Sequence, residues 1–307
     1  MDFFQHAVII GITILGLWYG ASWVVISAAH IARKLGLSEV VIGLTIVAIG
    51  TSAPEFAVSI TAAIKGQADI SVGNVVGSNI FNLGFILGGV ALLGACPTGR
   101  RLVFRDGSML ILTGALLALF LSDYMLEWWE GAILASLLLG YILFLFLQKE
   151  TLDEEVPEGD FHWYDIPKII LGIALIILSS KFLVQSATEV AMLLGVSEWL
   201  IGVTIVAVGT SMPELATSFI AVIKGHHGIS VGNLVGSDLF NLLGVLGLAA
   251  ILRPLHVTPE AYLNILLLGG FMVVVVIVMR TQYRITRVEG AILLLLTAVR
   301  WWLNIAS

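Results

Sequence analysis

The chain consists almost entirely of long apolar stretches, each broken by only a few polar residues. Ten of these stretches reach the roughly 17–25 residues that an α-helix needs to cross a bilayer. The pattern therefore predicts an all-α integral membrane protein with ten transmembrane helices, which we number as apolar segments 1 to 10: 7–32, 39–65, 70–95, 106–122, 128–148, 164–194, 198–224, 229–252, 260–279 and 286–305.

An internal repeat organises these segments. Residues 38–88 align with residues 197–247 at a constant offset of 159, with 32 identities in 51 positions. Such self-similarity predicts two five-helix repeats, at 1–148 and 164–307, joined by an acidic linker at 149–163. Because five is odd, the second repeat must enter the membrane from the opposite side. We therefore expect inverted repeats, the arrangement with which secondary transporters alternate access around a midplane site.

The strongest polar interruption is the stretch Gly-Thr-Ser-x-Pro-Glu, which occurs at 50–55 and again at 209–214. Each copy places a carboxylate, Glu55 or Glu214, well inside its apolar segment. A charged group near the bilayer centre costs about 2.5–3.5 kcal/mol even on the mildest scale. Two such groups at equivalent positions therefore predict a functional site rather than structural symmetry alone.

The prolines of these motifs predict broken helices in segments 2 and 7. Pro54 has no N–H and crowds the carbonyl of Gly50, and Pro213 acts in the same way in the second repeat. Carbonyl groups freed around Ala48 and Ala207 must line a cavity or bind something, because lipid offers no partner. Four hydroxyl groups share a helix face with the carboxylates: Thr51, Ser52, Thr210 and Ser211.

A second polar run follows in each repeat and forms a stripe with residues four positions apart: Asn74, Ser78 and Asn82, and Asn233, Ser237 and Asn241. Two stripes and two broken helices predict a small oxygen-lined chamber. Carboxylate, hydroxyl, amide and carbonyl oxygens are hard ligands that suit calcium, sodium or magnesium rather than zinc or copper. Packing between helices is the alternative role of such a stripe, and the adjacent glutamates favour ion binding.

Composition excludes several other classes of protein. Charged residues make up 12% of the 307, against about 25% in soluble domains. The single Cys96 excludes a disulfide framework and a Cys-rich metal site. All six histidines lie near predicted helix ends, so we predict no Ser–His hydrolase and no catalytic residue. No basic, aromatic patch indicates a nucleic-acid partner.

The distribution of Lys and Arg predicts the orientation. With the N-terminus outside, the inner loops hold eleven Lys and Arg residues and the outer ends hold three. We therefore expect both termini outside a cell (inner or plasma) membrane and the linker 149–163 in the cytoplasm, as a solvated connection rather than a cation sensor. The first residues lack the Lys or Arg of a cleavable signal peptide, so segment 1 is expected to be retained.

The paired motifs Gly-Thr-Ser-x-Pro-Glu and Gly-Asn-x-x-Gly-Ser-x-x-x-Asn resemble those of the cation/calcium exchanger superfamily, in its sodium/calcium exchanger branch, over nearly the whole chain. The short form resembles prokaryotic members. The resemblance implies sodium/calcium antiport, with segments 1 and 6 sliding across the core. We expect no cofactor and no obligatory protein partner. The resemblance implies these cation ligands: Glu55, Glu214, Thr51, Ser52, Thr210, Ser211, Ala48, Ala207, Ser78, Asn82, Ser237 and Asn241.

Two departures from the family pattern bear on the coupling ion. Potassium-dependent relatives carry an aspartate in place of Asn241, so obligatory potassium co-transport is disfavoured with only two carboxylates in the pocket. Asp238 lies three residues earlier, about 60° away on an ideal helix, and is expected to support or pack beside the site. Proton/calcium exchangers place a further glutamate where this chain has Val76 and Gly77. Lys181 is expected to be structural or interfacial.

The sequence leaves three mechanisms open. The resemblance implies electrogenic exchange, in which sodium entry expels calcium. A proton-coupled or potassium-dependent exchanger is the nearest alternative, since buried glutamates carry protons readily. A cation channel is disfavoured, because inverted pseudosymmetry within one chain does not gather identical elements around a pore axis.

Overall fold

The computed structural model describes residues 3–148, 160–196, 205 and 207–306. These residues form twelve helices, which we label α1 to α12 in chain order: Phe3–Leu35, Glu39–Thr51, Ala53–Ile64, Ala68–Leu93, Gly99–Asp123, Trp128–Leu147, Asp165–Leu193, Ala207–Gly209, Met212–Ile223, His227–Leu252, Pro259–Tyr283 and Arg287–Ala306. The predicted linker at 149–163 and the start of segment 7 lie largely outside the described residues.

Many of these helices are long and apolar enough to cross a membrane. Within the described ranges, seven helices meet this condition singly, and the pair α2 and α3 would make an eighth span. Helix α9 is shorter but apolar. The prediction of an all-helical, multi-pass membrane protein is confirmed. The count of ten spans stays a prediction.

The two predicted helix breaks are present. Helices α2 and α3 meet at Ser52 with a bend of 53°. Pro54 lies in the first turn of α3, where its missing N–H costs no helical hydrogen bond, and Pro213 occupies the same place in α9. Each proline thus starts a new helix and ends the old one a few residues before it.

Helices α4 and α10 form the centre of the bundle, since they are the most deeply buried of the candidate spans. Both change to wide, π-helical turns, at Phe81–Ile86 in α4 and at Phe240–Val245 in α10. Such turns shift the faces of the following residues and occur often at functional sites. They carry Asn82 in one helix and Asn241 in the other.

Helix α1 packs along α7 in the most extensive helix pairing of the described chain. A Cβ atom on Gly20 would lie 2.9 Å from the Gly172 oxygen, and one on Gly172 would lie 2.9 Å from the Gly20 oxygen. The two backbones therefore touch at this crossing, as small residues permit in membrane helix pairs.

Two short antiparallel pairings tie loops together at the ends of the bundle. β1 (Cys96–Pro97) pairs with β4 (Arg284–Ile285), and β2 (Met125–Leu126) pairs with β3 (Leu255–His256). The apolar periodicity gave no signal for them, because two residues are too few to show alternation. Each pairing joins the half before the linker to the half after it.

Candidate cation site

The two helix breaks bring the repeated motifs together at the middle of the bundle. Glu55 and Glu214 each lie in the first turn after a break, in α3 and α9, and both are 0% exposed. The N-terminal end of a helix is the favourable place for a carboxylate, because the helix dipole and the unpaired N–H groups stabilise negative charge there. The helix start at each break therefore stabilises the negative charge of the carboxylate, which the apolar surroundings destabilise.

Each glutamate accepts a hydrogen bond from the motif of the other half. Ser211 Oγ donates to Glu55 Oε1 at 3.0 Å, and Ser52 Oγ donates to Glu214 Oε1 at 2.8 Å. Ser237 Oγ also donates to Glu214 Oε1, at 3.3 Å. The carboxylates are close enough to repel each other. The two halves therefore share one acidic centre.

Thr51 connects the first break to the polar stripe on α10. Its hydroxyl lies 3.0 Å from Asn233 Oδ1 and 3.4 Å from Ser237 Oγ. Thr51 also interacts with the carboxylate of Glu214, and Thr210 interacts with that of Glu55. All four predicted hydroxyl groups of the breaks thus lie beside a carboxylate.

At the first break, the Ala48 carbonyl group has hydrogen-bond partners within the chain. The Ala48 oxygen, expected to be freed, accepts hydrogen bonds from Ser52 N at 3.0 Å and from Thr51 Oγ1 at 3.3 Å. At the second break Ser211 N donates to Val208 O at 3.1 Å. Ala207 begins the short helix α8 directly before that break. Ligation by these two alanine carbonyls stays a prediction.

The predicted stripes divide into packing and pocket residues. Asn74 Nδ2 donates to Ser59 Oγ in α3 at 2.9 Å, and Asn233 Nδ2 donates to Ser218 Oγ in α9 at 3.1 Å. Each asparagine therefore binds the helix that carries the glutamate of its own repeat. These two asparagines have the packing role that the stripe left open. The deeper members of the stripes lie in the central cluster: Ser78, Asn82, Ser237 and Asn241.

Several buried oxygen atoms of this cluster have no hydrogen-bond donor among the described residues: Glu55 Oε2, Glu214 Oε2, Asp238 Oδ2, Asn82 Oδ1 and Asn241 Oδ1. Their side chains are all 0% exposed. An unpaired buried oxygen is costly, and a bound cation satisfies several at once. In the described ranges, no three Asp, Glu, His or Cys side chains converge. A cation here would be held mainly by neutral oxygens with few charges.

Asp238 lies against a predicted ligand, where a supporting or packing residue is expected. It is fully buried, and its Oδ1 accepts from Asn82 Nδ2 at 3.1 Å. A third buried carboxylate is therefore in contact with a predicted ligand. Lys181, by contrast, is exposed on α7.

Two histidine–carboxylate pairs were missed by the sequence reasoning, which placed all histidines at helix ends. His30 Nδ1 lies 3.0 Å from Asp165 Oδ2, and His226 Nδ1 lies 2.6 Å from Glu39 Oε1. Ser27 Oγ also donates to Asp165, at 3.3 Å. The first pair joins α1 to α7, and the second joins the start of α2 to the loop before α10. The partners lie 135 and 187 residues apart along the chain, so no local motif reveals them.

Comparison with known families decides what kind of protein this is. A family model described as sodium/calcium exchanger protein matches residues 5–147 and 167–305. The chain belongs to this family. It is 39% identical over 305 residues to the putative antiporter CaxA of Alkalimonas amylolytica, with 94% of each chain covered. It is 33% identical over 332 residues to the sodium/calcium exchanger MaX1 of Methanosarcina acetivorans, covering 92% of this chain and 95% of that protein.

The fold agrees with a solved exchanger. The sodium-calcium exchanger NCX_Mj, from a crystal soaked with zero Na⁺ and Ca²⁺, superposes with a TM-score of 0.85 at 26% identity, covering 97% of this chain and 98% of that one. The resemblance to the sodium/calcium exchanger branch, in its short prokaryotic form, is thereby confirmed. The chain is a multi-pass membrane transporter of the cation/calcium exchange class, and not an enzyme.

Proposed function

We propose that this exchanger is a secondary antiporter that exchanges sodium for calcium at one shared pocket between Glu55 and Glu214. The observation that carries the proposal is the reciprocal pairing of these glutamates with Ser211 and Ser52 of the opposite halves. A pocket shared in this way binds its ion only when both halves close on it. Ion binding and the relative position of the halves are therefore coupled.

The pocket chemistry supports calcium and sodium as alternative loads. Two carboxylates balance one calcium ion, and the hydroxyl and amide oxygens around them complete a hard coordination shell. Each sodium ion carries a single charge and is coordinated by a smaller number of the same oxygen atoms. The ligands we propose are those of the sequence analysis: Glu55, Glu214, Thr51, Ser52, Thr210, Ser211, Ala48, Ala207, Ser78, Asn82, Ser237 and Asn241.

Alternating access follows from the proposed topology of ten spans in two inverted repeats, 1–148 and 164–307. Helices α1 and α7 form the pair that slides across the bundle, and their backbone contact at Gly20 and Gly172 supports this role because it holds the two helices together as one moving unit. Both termini face outward and the linker 149–163 lies in the cytoplasm. The location is the cell membrane, where sodium entry drives calcium out.

The exchange is proposed to be electrogenic, without potassium or a proton as the coupling ion. The membrane potential then contributes about 2.3 kcal/mol per 100 mV for each net charge moved. Because Asn241 is neutral, that position lacks the negative charge of the aspartate that potassium-dependent relatives carry.

The decisive experiment uses sodium-loaded liposomes that contain the full chain. Radiolabelled calcium uptake is followed on dilution into buffer without sodium and potassium. We expect uptake that disappears when the sodium gradient is dissipated and that responds to an imposed membrane potential. Uptake that needs potassium or a pH gradient would overturn sodium coupling, and flux without any counter-ion would indicate a channel.

The glutamates are tested in the same liposomes. Glu55→Gln and Glu214→Gln each remove one of the charges that balance calcium, so we expect calcium uptake to fall to background while the protein still elutes as a single species in size-exclusion chromatography. Glu189→Gln in α7 is the matched control and should transport normally. Near-normal transport by both pocket variants would refute the site.

A further inference from the structure

Four buried amide and carboxylate side chains meet where α4 and α10 cross. Asn79 and Asn82 lie in α4, Asp238 and Asn241 lie in α10, and all four are 0% exposed. The two pairs occupy equivalent positions in the repeat, since Asn79 aligns with Asp238 and Asn82 aligns with Asn241 at the offset of 159. Asn82 and Asn241 are proposed cation ligands, Asp238 is expected to support or pack beside the site, and Asn79 has no assigned role.

The hydrogen bonds of this cluster run between the two helices. Asn82 Nδ2 donates to Asp238 Oδ1 at 3.1 Å, and Asn241 Nδ2 donates to Asn79 Oδ1 at 3.2 Å. Asn79 is itself held, because its Nδ2 donates to the main-chain oxygen of Asp238 at 3.3 Å. Each proposed ligand is therefore bound through its amide nitrogen by a residue of the other repeat.

These contacts determine which way each amide points. A carboxylate and a main-chain carbonyl only accept hydrogen bonds, so Asn82 and Asn79 must turn their nitrogen atoms toward Asp238. Asn79 then presents its oxygen, and Asn241 must turn its nitrogen toward that oxygen. The remaining oxygens, Asn82 Oδ1 and Asn241 Oδ1, are buried without a donor among the described residues. In the side-chain amides of Asn82 and Asn241, the oxygen atoms therefore remain available to coordinate a cation.

We propose that Asp238 and Asn79 are positioning residues that hold Asn82 and Asn241 with their carbonyl oxygens directed to the cation. The inference deepens the proposed function and rests on it, because it assigns these residues to the same pocket. Asp238 does this more strongly than Asn79, since a hydrogen bond to a carboxylate is roughly twice as strong as a neutral one. The two amide oxygens are therefore oriented before the ion binds, which lowers the entropic cost of binding.

The test measures calcium binding to the purified full chain by titration calorimetry. Asp238→Val removes the acceptor at nearly constant volume and frees Asn82 to turn. Asp238→Asn keeps an oxygen that can accept from Asn82. We expect calcium affinity to fall about tenfold in Asp238→Val and only about threefold in Asp238→Asn. Asp160→Val, an exposed aspartate before α7, is the control and should bind as the parent protein does.

A double-mutant cycle separates positioning from direct ligation. If Asp238 acts through Asn82, then in an Asn82→Ala background the Asp238 substitutions should change calcium affinity by less than about twofold. Effects that persist in full in that background, or equal losses in Asp238→Asn and Asp238→Val, would overturn the proposal. Should Asp238→Val fail to fold, the cycle with Asp238→Asn decides in the same way.

The result also separates this inference from the proposed function. A parent protein that binds no calcium would remove the proposed function. A parent that binds calcium, with Asp238→Val binding it equally well, would remove the positioning role alone. Asn79→Val provides the repeat-related check, since its effect should vanish in an Asn241→Ala background.

Discussion

At the scale of single residues, the site consists of charges held by hydroxyl groups from the opposite half. The bond from Ser52 to Glu214 and the bond from Ser211 to Glu55 are the shortest contacts that link the two motifs. A hydrogen bond to a charged group contributes about 1.5–3 kcal/mol. Each serine should therefore contribute to ion affinity through the carboxylate that it supports.

Ser52→Ala and Ser211→Ala test this directly. Each removes one bond to a carboxylate, and we expect calcium affinity to fall about tenfold in either variant, measured by calorimetry. Ser59→Ala is the matched control, because Ser59 is equally buried but bonds the main chain of Ser71 and the amide of Asn74. It should lower thermal stability without a change in affinity. An equal loss of affinity in Ser59→Ala would show that these serines act on the fold alone.

The sequence predicted which side chains the structure brings together better than it predicted the contacts between them. The repeated motif identified Glu55 and Glu214, because a carboxylate inside an apolar segment is costly and stands out. The contact of Asp238 with Asn82 could not be read from spacing, since it joins residues 156 positions apart. The histidine–carboxylate pairs were missed for the same reason: an isolated His at a helix end carries no signal of its partner.

At the scale of the elements, the site depends on the close approach of α2 and α10. A Cβ atom on Gly236 would lie 2.5 Å from the Leu44 Cα atom, and one on Gly43 would lie 2.8 Å from the Ile229 oxygen. The helices touch through their backbones at these points. This contact brings Thr51, at the end of α2, against Asn233 of α10.

Gly236→Ala is expected to push α2 and α10 apart. Overpacking against a rigid backbone costs about 1–3 kcal/mol, so we expect a lower melting temperature together with weaker calcium binding. Gly140→Ala is the control, because no described atom lies within 4 Å of its added Cβ. That change should leave binding unaltered and, as a Gly to Ala change within a helix, should not lower stability. Unchanged binding in Gly236→Ala would contradict the role of this contact.

Helix breaks were predictable at this scale because proline imposes them locally. The wide turns around Asn82 and Asn241 were not, since no single residue type demands a π-helical turn. A π-helical turn contains more residues than a regular α-helical turn, so the side chains that follow it lie on a different face than the regular spacing of 3.6 residues predicts. Contacts such as that between Asp238 and Asn82 therefore cannot be read from angles on an ideal helix.

At the scale of the whole molecule, the short loop pairings secure the two ends of the bundle. Cys96 lies in β1 and is fully buried against the rest of the chain. Burial raises the pKa of its thiol to about 11. The thiol is therefore both inaccessible and protonated at ordinary pH.

Because Cys96 is the single cysteine, it should report on global unfolding. We expect the folded protein in detergent to resist a maleimide at pH 8, where a thiol with this raised pKa is almost entirely protonated. Labelling should become rapid as heat or denaturant opens the bundle. The rate is followed by mass spectrometry, and each adduct is assigned to Cys96 because the sequence has no second thiol. Fast labelling of the native protein would contradict the burial of this residue.

The sharing of carboxylates between halves has a consequence for leakage. Glu55 and Glu214 are both fully buried. Uncompensated ions in such surroundings cost several kcal/mol each, so a buried pocket that holds neither a cation nor a proton is rarely populated. Under the proposed antiport, a carrier that has released its load on one side must therefore take up another cation, or protons, before it passes back. Return of the empty, charged carrier is then disfavoured by the energy of the vacant pocket itself, without a separate gate.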